Sequence, residues 1–241
     1  LGLKAQRAAD EAIASLKRNE KPIIAVENTM GSFLEAYAKD NAVAQGGTLG
    51  SFDYRTVLTR ALARTLFITE VKPNGQKEKR EIKLRELDSV TREAYDSAQS
   101  VIDSLKLDIP VSPIDFIRNE VRKAGFTIAE ITGRKLAVDY STPGKAFLGM
   151  IDSLEQTDKV RTTQLFNSGQ LDALILNVAG STGISLHASE KFIDQRQRHM
   201  VVAQAAGDIN IFMQMNDIQL AKIASGEIDP ATLIDLGPRV N

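Results

Sequence analysis

Four short apolar runs, at residues 23–26, 127–131, 173–178 and 200–204, recur along the chain, each bounded by polar residues, glycine or proline. Runs of that length are read as buried strands, and their alternation with helical segments points to a parallel sheet covered on both faces. The segments between them carry the other period. Residues 8–19 space Ala9, Ala12, Ile13 and Leu16 at helical intervals, and Met30, Phe33, Leu34 and Tyr37 share one face of a second helix with Thr29 as its N-cap. Ser112-Pro113 is a cap followed by proline at the first helical position; Ile114, Ile117, Val121 and Ala124 then repeat until Gly125 stops the helix. A polar helix is expected over 159–167. The alternation predicts an α/β fold with a mainly parallel sheet covered by helices.

The pattern is interrupted once. Residues 41–51 are glycine-rich, with Gly46, Gly47 and Gly50, and are read as the loop that opens an insertion over 41–108. Inside it the sequence predicts a helix over 54–63 and a hairpin with arms 66–71 and 81–84 around Pro73-Asn74-Gly75. A second helix follows over 89–105, with Val90, Ala94, Ala98, Val101 and Leu105 on one side. The expected organisation is thus the start of a lobe at 1–40, the helix-hairpin-helix insertion, the remainder of the lobe at 109–215, and a tail at 216–241 whose part from Gly226 to Asn241 is read as a short helix with loops.

Composition excludes several function classes. Thirty Lys+Arg against 31 Asp+Glu rule out a uniformly basic nucleic-acid coat, so any such contact is local. The absence of cysteine removes disulfides, thiolate zinc sites and a cysteine nucleophile, and two histidines are too few for a histidine-built metal centre. His187 and His199, isolated in sequence, are read as structural or surface residues. No run suggests a membrane span or a signal peptide, so a cytoplasmic protein is expected. Because the first residue is Leu1 rather than Met, the chain reads as a piece of a longer polypeptide.

Two lookalikes are set aside. Asp10-Glu11-Ala12 resembles an acidic metal-binding box, but it lies in a helix instead of following a buried strand. Gly144-Lys145 is not a Walker A loop, because Asp139 and Ala146 stand where that motif needs a glycine and a hydroxyl. More informative is DALILNVAGSTGISL at 172–186, where a buried strand ends in glycines and hydroxyls. Such a turn can offer backbone N–H groups to a phosphate, although it can equally be an ordinary strand-to-helix turn.

Taken in order, the Thr29 helix, the helix ending at Gly125, Ile131-Thr132-Gly133-Arg134, Gln164-Leu165-Phe166 and GSTGISL resemble the second RecA-like lobe of superfamily 2 helicases and chromatin-remodelling translocases. The ITGR and GSTGISL stretches, with Asp194-Gln195-Arg196-Gln197-Arg198, are similar to the strawberry notch helicase family, whose lobes also occur in large phage antirestriction helicase proteins. The resemblance implies that Thr29, Thr132, Gly133, Arg134, Ser181 and Thr182 contact nucleic acid, and that Gly183 and Gln214 bind the nucleotide. For Arg134 the alternative is a solvent-exposed arginine; Arg196 and Arg198 are read as a solvated charged turn.

The resemblance also implies ATP and Mg2+ as cofactors and DNA as the track. An N-terminal RecA-like lobe, in the same or another chain, supplies the phosphate-binding lysine and the magnesium carboxylates. Neither a catalytic residue nor a metal ligand is expected here, so this chain alone turns over no ATP. The sequence departs from the family after Phe212-Met213-Gln214-Met215, where a glycine-arginine pair should follow: the next residues are Asn216-Asp217-Ile218, and no arginine follows until Arg239. Either residues intervene there in the natural protein, or the arginine fingers are missing. In the second case the alternative reading is a noncatalytic structural or interaction protein, for instance inside a phage particle. An unrelated Rossmann-type nucleotide binder is a third reading, but no Gly-x-Gly-x-x-Gly follows any strand.

Overall fold

The computed structural model describes residues 1–50, 53–105, 109–142, 145–150, 159–177, 180, 184–186, 188 and 192–204, and the strand pairing at Ile234–Asp235. The chain forms two compact units, Leu1–Gly50 with Ser112–Asn241, and Ser51–Val111. The ten residues before Ser51, expected to open the insertion, belong to the larger unit. Gly46 and Leu49 donate backbone hydrogen bonds to Leu148 and Ala146, which makes this glycine-rich stretch a partner of a strand 100 residues away in the chain.

The larger unit begins with α1 (Ala5–Lys17), β1 (Lys21–Ala25) and α2 (Gly31–Asp40). Ala5, Ala8, Ala9, Ala12 and Leu16 form the buried face of α1, and Asn19 leaves it with φ 62, the left-handed stop that short polar side chains tolerate. Asp10 and Glu11 lie within this helix, as expected of a polar helix surface. Met30, not Thr29, is the residue before α2; it takes a left-handed φ of 57, while the Thr29 hydroxyl accepts only a long hydrogen bond from the N–H of Gly31 at 3.4 Å.

The smaller unit contains α3 (Tyr54–Arg64), β2 (Phe67–Val71), β3 (Lys77–Glu81) and α4 (Ser89–Ser104). Asp53 and Asp88 cap its two helices by accepting from the N–H groups of Thr56 and Thr91. The second hairpin arm starts earlier than the expected 81–84: Lys72 N–H bonds Gln76 O across the turn, so the polar run from Lys77 must pair with β2. Leu84–Glu86 form a 3-10 turn instead. The inward stripe of α4 also differs. Val90 is 75% exposed and Val101 57% exposed, while Tyr95, Ala98, Gln99 and Ile102 form the half-buried side.

The larger unit resumes with α5 (Pro113–Lys123), β4 (Ile128–Ile131), β5 (Leu136–Asp139), β6 (Phe147–Met150), α6 (Lys159–Asn167), β7 (Ala173–Leu176), β8 (Arg198–Val202) and β9 (Ile234–Asp235). Strands β4, β7, β1 and β8 lie in that order and all run parallel, and the two residues of β9 extend the sheet beside β8 within the tail expected to hold only a short helix and loops. Antiparallel β5 and β6, which the apolar pattern did not reveal, make a separate two-stranded ribbon.

Alternation along the strands splits the core into two layers. Ile24, Val26, Ile128, Ala173, Ile175 and Val201 face α1 and α5; Ile23, Ala25, Ala129, Leu174, Leu176, Met200 and Val202 face Phe166 of α6 and Leu186. Each fully buried isoleucine or leucine contributes about 1.5–3 kcal/mol relative to its exposed state. These two layers therefore hold the sheet far more strongly than any surface ion pair can. Pro22 fits inside central β1 because pairing with β7 begins only at Ile23, so no ladder bond is lost at its missing N–H.

Candidate nucleic-acid interface

A parallel sheet presents its loops at the carboxyl ends of its strands, and three of the expected contact segments gather there. The Thr29 segment follows β1, Thr132-Gly133-Arg134 follows β4, and Gly180 follows β7. Their approach is close. A Cβ on Gly31 would lie 2.9 Å from Cβ of Arg134, and a Cβ on Gly180 would overlap the carbonyl oxygen of Ile131. Nearby, the Asn28 N–H donates to Oε1 of Gln204 at 3.2 Å, tying in the end of β8. Ser181, Thr182, Gly183 and Gln214 lie outside the described residues.

Arg134 is neither a phosphate contact nor a solvent-exposed arginine in this structure. Its side chain is 1% exposed, and every N–H of its guanidinium has an acceptor. Nε donates to Glu130 Oε1 at 2.7 Å and Nη2 to Glu130 Oε2 at 2.6 Å. Nη1 and Nη2 grip Asp115 Oδ2 and Oδ1 at 2.8 and 2.5 Å, and Nη1 also reaches Ser112 Oγ at 3.3 Å. A guanidinium carries five N–H donors, so none remains for a phosphate. Burial opposes its charge, but the Asp115 and Glu130 carboxylates outweigh burial and raise its pKa above the ordinary arginine value.

The carboxylates are used just as fully. Asp115 also accepts from Ser112 Oγ at 2.5 Å and from the backbone N–H of Val138 at 2.6 Å, so it joins the start of α5 to β5. Glu130 accepts the Thr132 hydroxyl at 2.6 Å and Arg118 Nη1 at 3.0 Å. Burial pushes the Glu130 carboxyl upward, yet its bond to Arg134 and the charges of Arg134 and Arg118 hold it below the ordinary value, so it is ionised. Thr132 thus turns its hydroxyl inward, and Gly133, at φ 75, is the exposed member of the three. What this loop can present is backbone, which suits an anion as backbone N–H groups at strand ends do.

Arg196 and Arg198 are not a solvated turn. Arg198 is 5% exposed; it donates to the carbonyls of Leu186, Asp194 and Arg196 and stacks over Phe166 with its centre 5.3 Å from the ring. Arg196 bonds Asp194 and Asp172. The same cluster holds Lys21, fully buried at the start of β1, which donates to Asp194 Oδ2 at 2.7 Å and to the Phe166 carbonyl. Burial lowers the Lys21 pKa to about 8 against the pull of Asp194, which leaves the ammonium protonated at neutral pH. His199 is a structural residue: it is 5% exposed, and burial lowers its pKa despite Glu20 and Glu11 nearby. This cluster sits at the amino ends of β1 and β8, opposite the contact loops, and reads as a fastening of the sheet.

Sequence reasoning passed over Asp115, Glu130, Lys21 and Asn177. A signal existed for Glu130, since a carboxylate inside an otherwise apolar strand requires a buried cation. Asp115 sits one position from the apolar stripe of α5, and no local pattern distinguishes it from a surface charge.

Four parallel strands with helices on both faces are consistent with a RecA-like helicase C-terminal lobe. Residues 119–209, under half of the chain, match the family described as the C-terminal domain on Strawberry notch homologue, so the strawberry notch-like resemblance read from the sequence holds for that segment. Neither the curated proteins nor the solved structures contain a match. No helix among the described residues is long and apolar enough to cross a membrane.

Proposed function

We propose that the larger unit works as the C-terminal lobe of an ATP-dependent helicase or translocase acting on DNA. The observation that carries this reading is the gathering of the Thr29, Thr132-Gly133 and Gly180 segments at the carboxyl edge of one parallel sheet, within a chain whose residues 119–209 match a helicase family. The backbone of Gly133, with Gly180, Ser181 and Thr182, grips phosphates, and Thr29 touches the strand beside them. Arg134 serves by holding this loop from beneath.

ATP with Mg2+ binds between this lobe and an N-terminal RecA-like lobe, next to Gly183 and Gln214, and closure of the two lobes moves the contact loops along the strand. Lys145 follows no phosphate-binding loop, so the other lobe supplies the phosphate-binding lysine. The test is DNA binding by this chain across a salt series, together with an ATPase assay. Affinity should fall linearly on a log–log plot against salt, as counterion release requires, with no ATP turnover. Salt-independent binding, or turnover by this chain alone, overturns the reading.

A noncatalytic interaction protein that kept the lobe, for instance inside a phage particle, is the second reading. The absence of arginine between Met215 and Arg239 favours it. Mass spectrometry of the natural protein separates the two. A contiguous tryptic peptide from His199 to Lys222 supports the scaffold, whereas Met215 running into a glycine-arginine pair supports the motor.

A further inference from the structure

We infer that Asn177 is a positioning residue that couples the two contact loops to each other. It follows β7 directly, and its one carboxamide spans both loops: Nδ2 donates to the backbone carbonyl of Thr132 at 3.1 Å, and Oδ1 accepts the backbone N–H of Gly180 at 2.9 Å. The partners fix the orientation of the amide, because a carbonyl must be met by the nitrogen and an N–H by the oxygen. The two bonds reach across 45 and 3 residues of sequence, so one joins separate loops and the other holds Gly180 to the residue that ends its own strand.

Direct backbone packing and the Asn177 bonds hold this alignment together. Gly180 runs so close to Ile131 that no side chain fits between them, and the carbonyl at Thr132 belongs to the residue whose hydroxyl is already committed to Glu130. The Arg134 network therefore anchors the Thr132-Gly133 loop from inside the lobe, and Asn177 ties that loop to Gly180. Asn177 is a side chain that bonds to both loops, beside the direct contact of Gly180 with Ile131. The inference rests on the reading above that these loops share one nucleic-acid track, since only then does their mutual spacing matter to recognition.

Two substitutions separate the halves of the contact. In Asn177→Asp the acceptor for Gly180 is kept, but an oxygen replaces the donor facing the Thr132 carbonyl; Asn177→Leu removes both. Hydrogen exchange of the whole chain without DNA should show faster exchange at 132–134 in both variants and around Gly180 only in Asn177→Leu, with unfolding midpoints close to wild type. Unchanged exchange at 132–134 overturns the coupling. With DNA, loss of the contact should weaken binding about three- to tenfold, the range of one ordinary hydrogen bond. Loosened loops with unaltered affinity overturn the positioning role. Should wild type itself bind no DNA, the functional reading fails, while the exchange experiment still decides the coupling.

Discussion

Asp115 receives Arg134 end-on, each carboxylate oxygen taking one guanidinium nitrogen, at 2.8 and 2.5 Å, across 19 residues of sequence. Removing either partner leaves an uncompensated charge in the interior. Arg134→Ala should therefore destabilise the chain by about 3–5 kcal/mol. Arg134→Lys should recover only a small part, because three rotatable donors cannot meet two carboxylates in the planar fork that Arg134 fills. Denaturant unfolding of the three proteins checks both statements, and wild-type stability in the lysine variant would contradict the second.

Two glycines of the contact loops should respond differently to alanine. At Gly133 a Cβ meets nothing within 4 Å but must adopt φ 75, so Gly133→Ala costs about 1–2 kcal/mol of backbone strain. At Gly180 the new Cβ collides with the Ile131 backbone, which cannot rotate away, so Gly180→Ala costs more and displaces Gly180 from Ile131. Unfolding midpoints at equal denaturant slope rank the pair; equal losses would contradict the close approach.

The cluster at the other end of the sheet should be asymmetric. Asp194→Asn leaves Lys21 without its carboxylate and deprives Arg196 of one of two, and a loss of about 3–5 kcal/mol is expected. Lys21→Met leaves Asp194 paired with Arg196 at 2.8 Å and fills the buried space with an apolar chain of similar length, so it costs less. Urea unfolding of both variants tests the order.

Acid should weaken the fold through the same carboxylates. Burial pushes Asp194 upward, but hydrogen bonds from Arg196 and Lys21 overcome it and hold the carboxyl well below its ordinary 3.8. Glu130 is held below its ordinary 4.5. Their contribution is fully present above these ordinary values. It is lost as pH falls from there toward the lower folded values, because the unfolded chain takes up protons first. Thermal midpoints measured from pH 7 to pH 3 should drop most steeply below about pH 4.5, and Asp194→Asn should flatten that limb.

Local pattern was sufficient for most of the scaffold. Short apolar runs identified β1, β4, β7 and β8, and three- and four-residue spacing identified α1 and α5, because strands buried on two faces and helices buried on one leave different periods in the chain. Where an element has no apolar period, local pattern does not locate it. The polar arm Lys77–Glu81 precedes the 81–84 that the pattern predicts, and the ribbon of β5 and β6 carries no apolar period to mark it.

The sequence by itself determined the parallel α/β lobe, the inserted helices and the loops that end its strands, since propensity and burial period act over a few neighbouring residues. Only the tertiary structure decided which charges face inward. Arg134, Arg198 and Lys21 look like surface cations in sequence, and each is buried because carboxylates or carbonyls brought together by folding meet its donors. Asn177 likewise acquires its place only when β4 and β7 lie side by side, for a carboxamide can join two loops only after the sheet has set them one side chain apart.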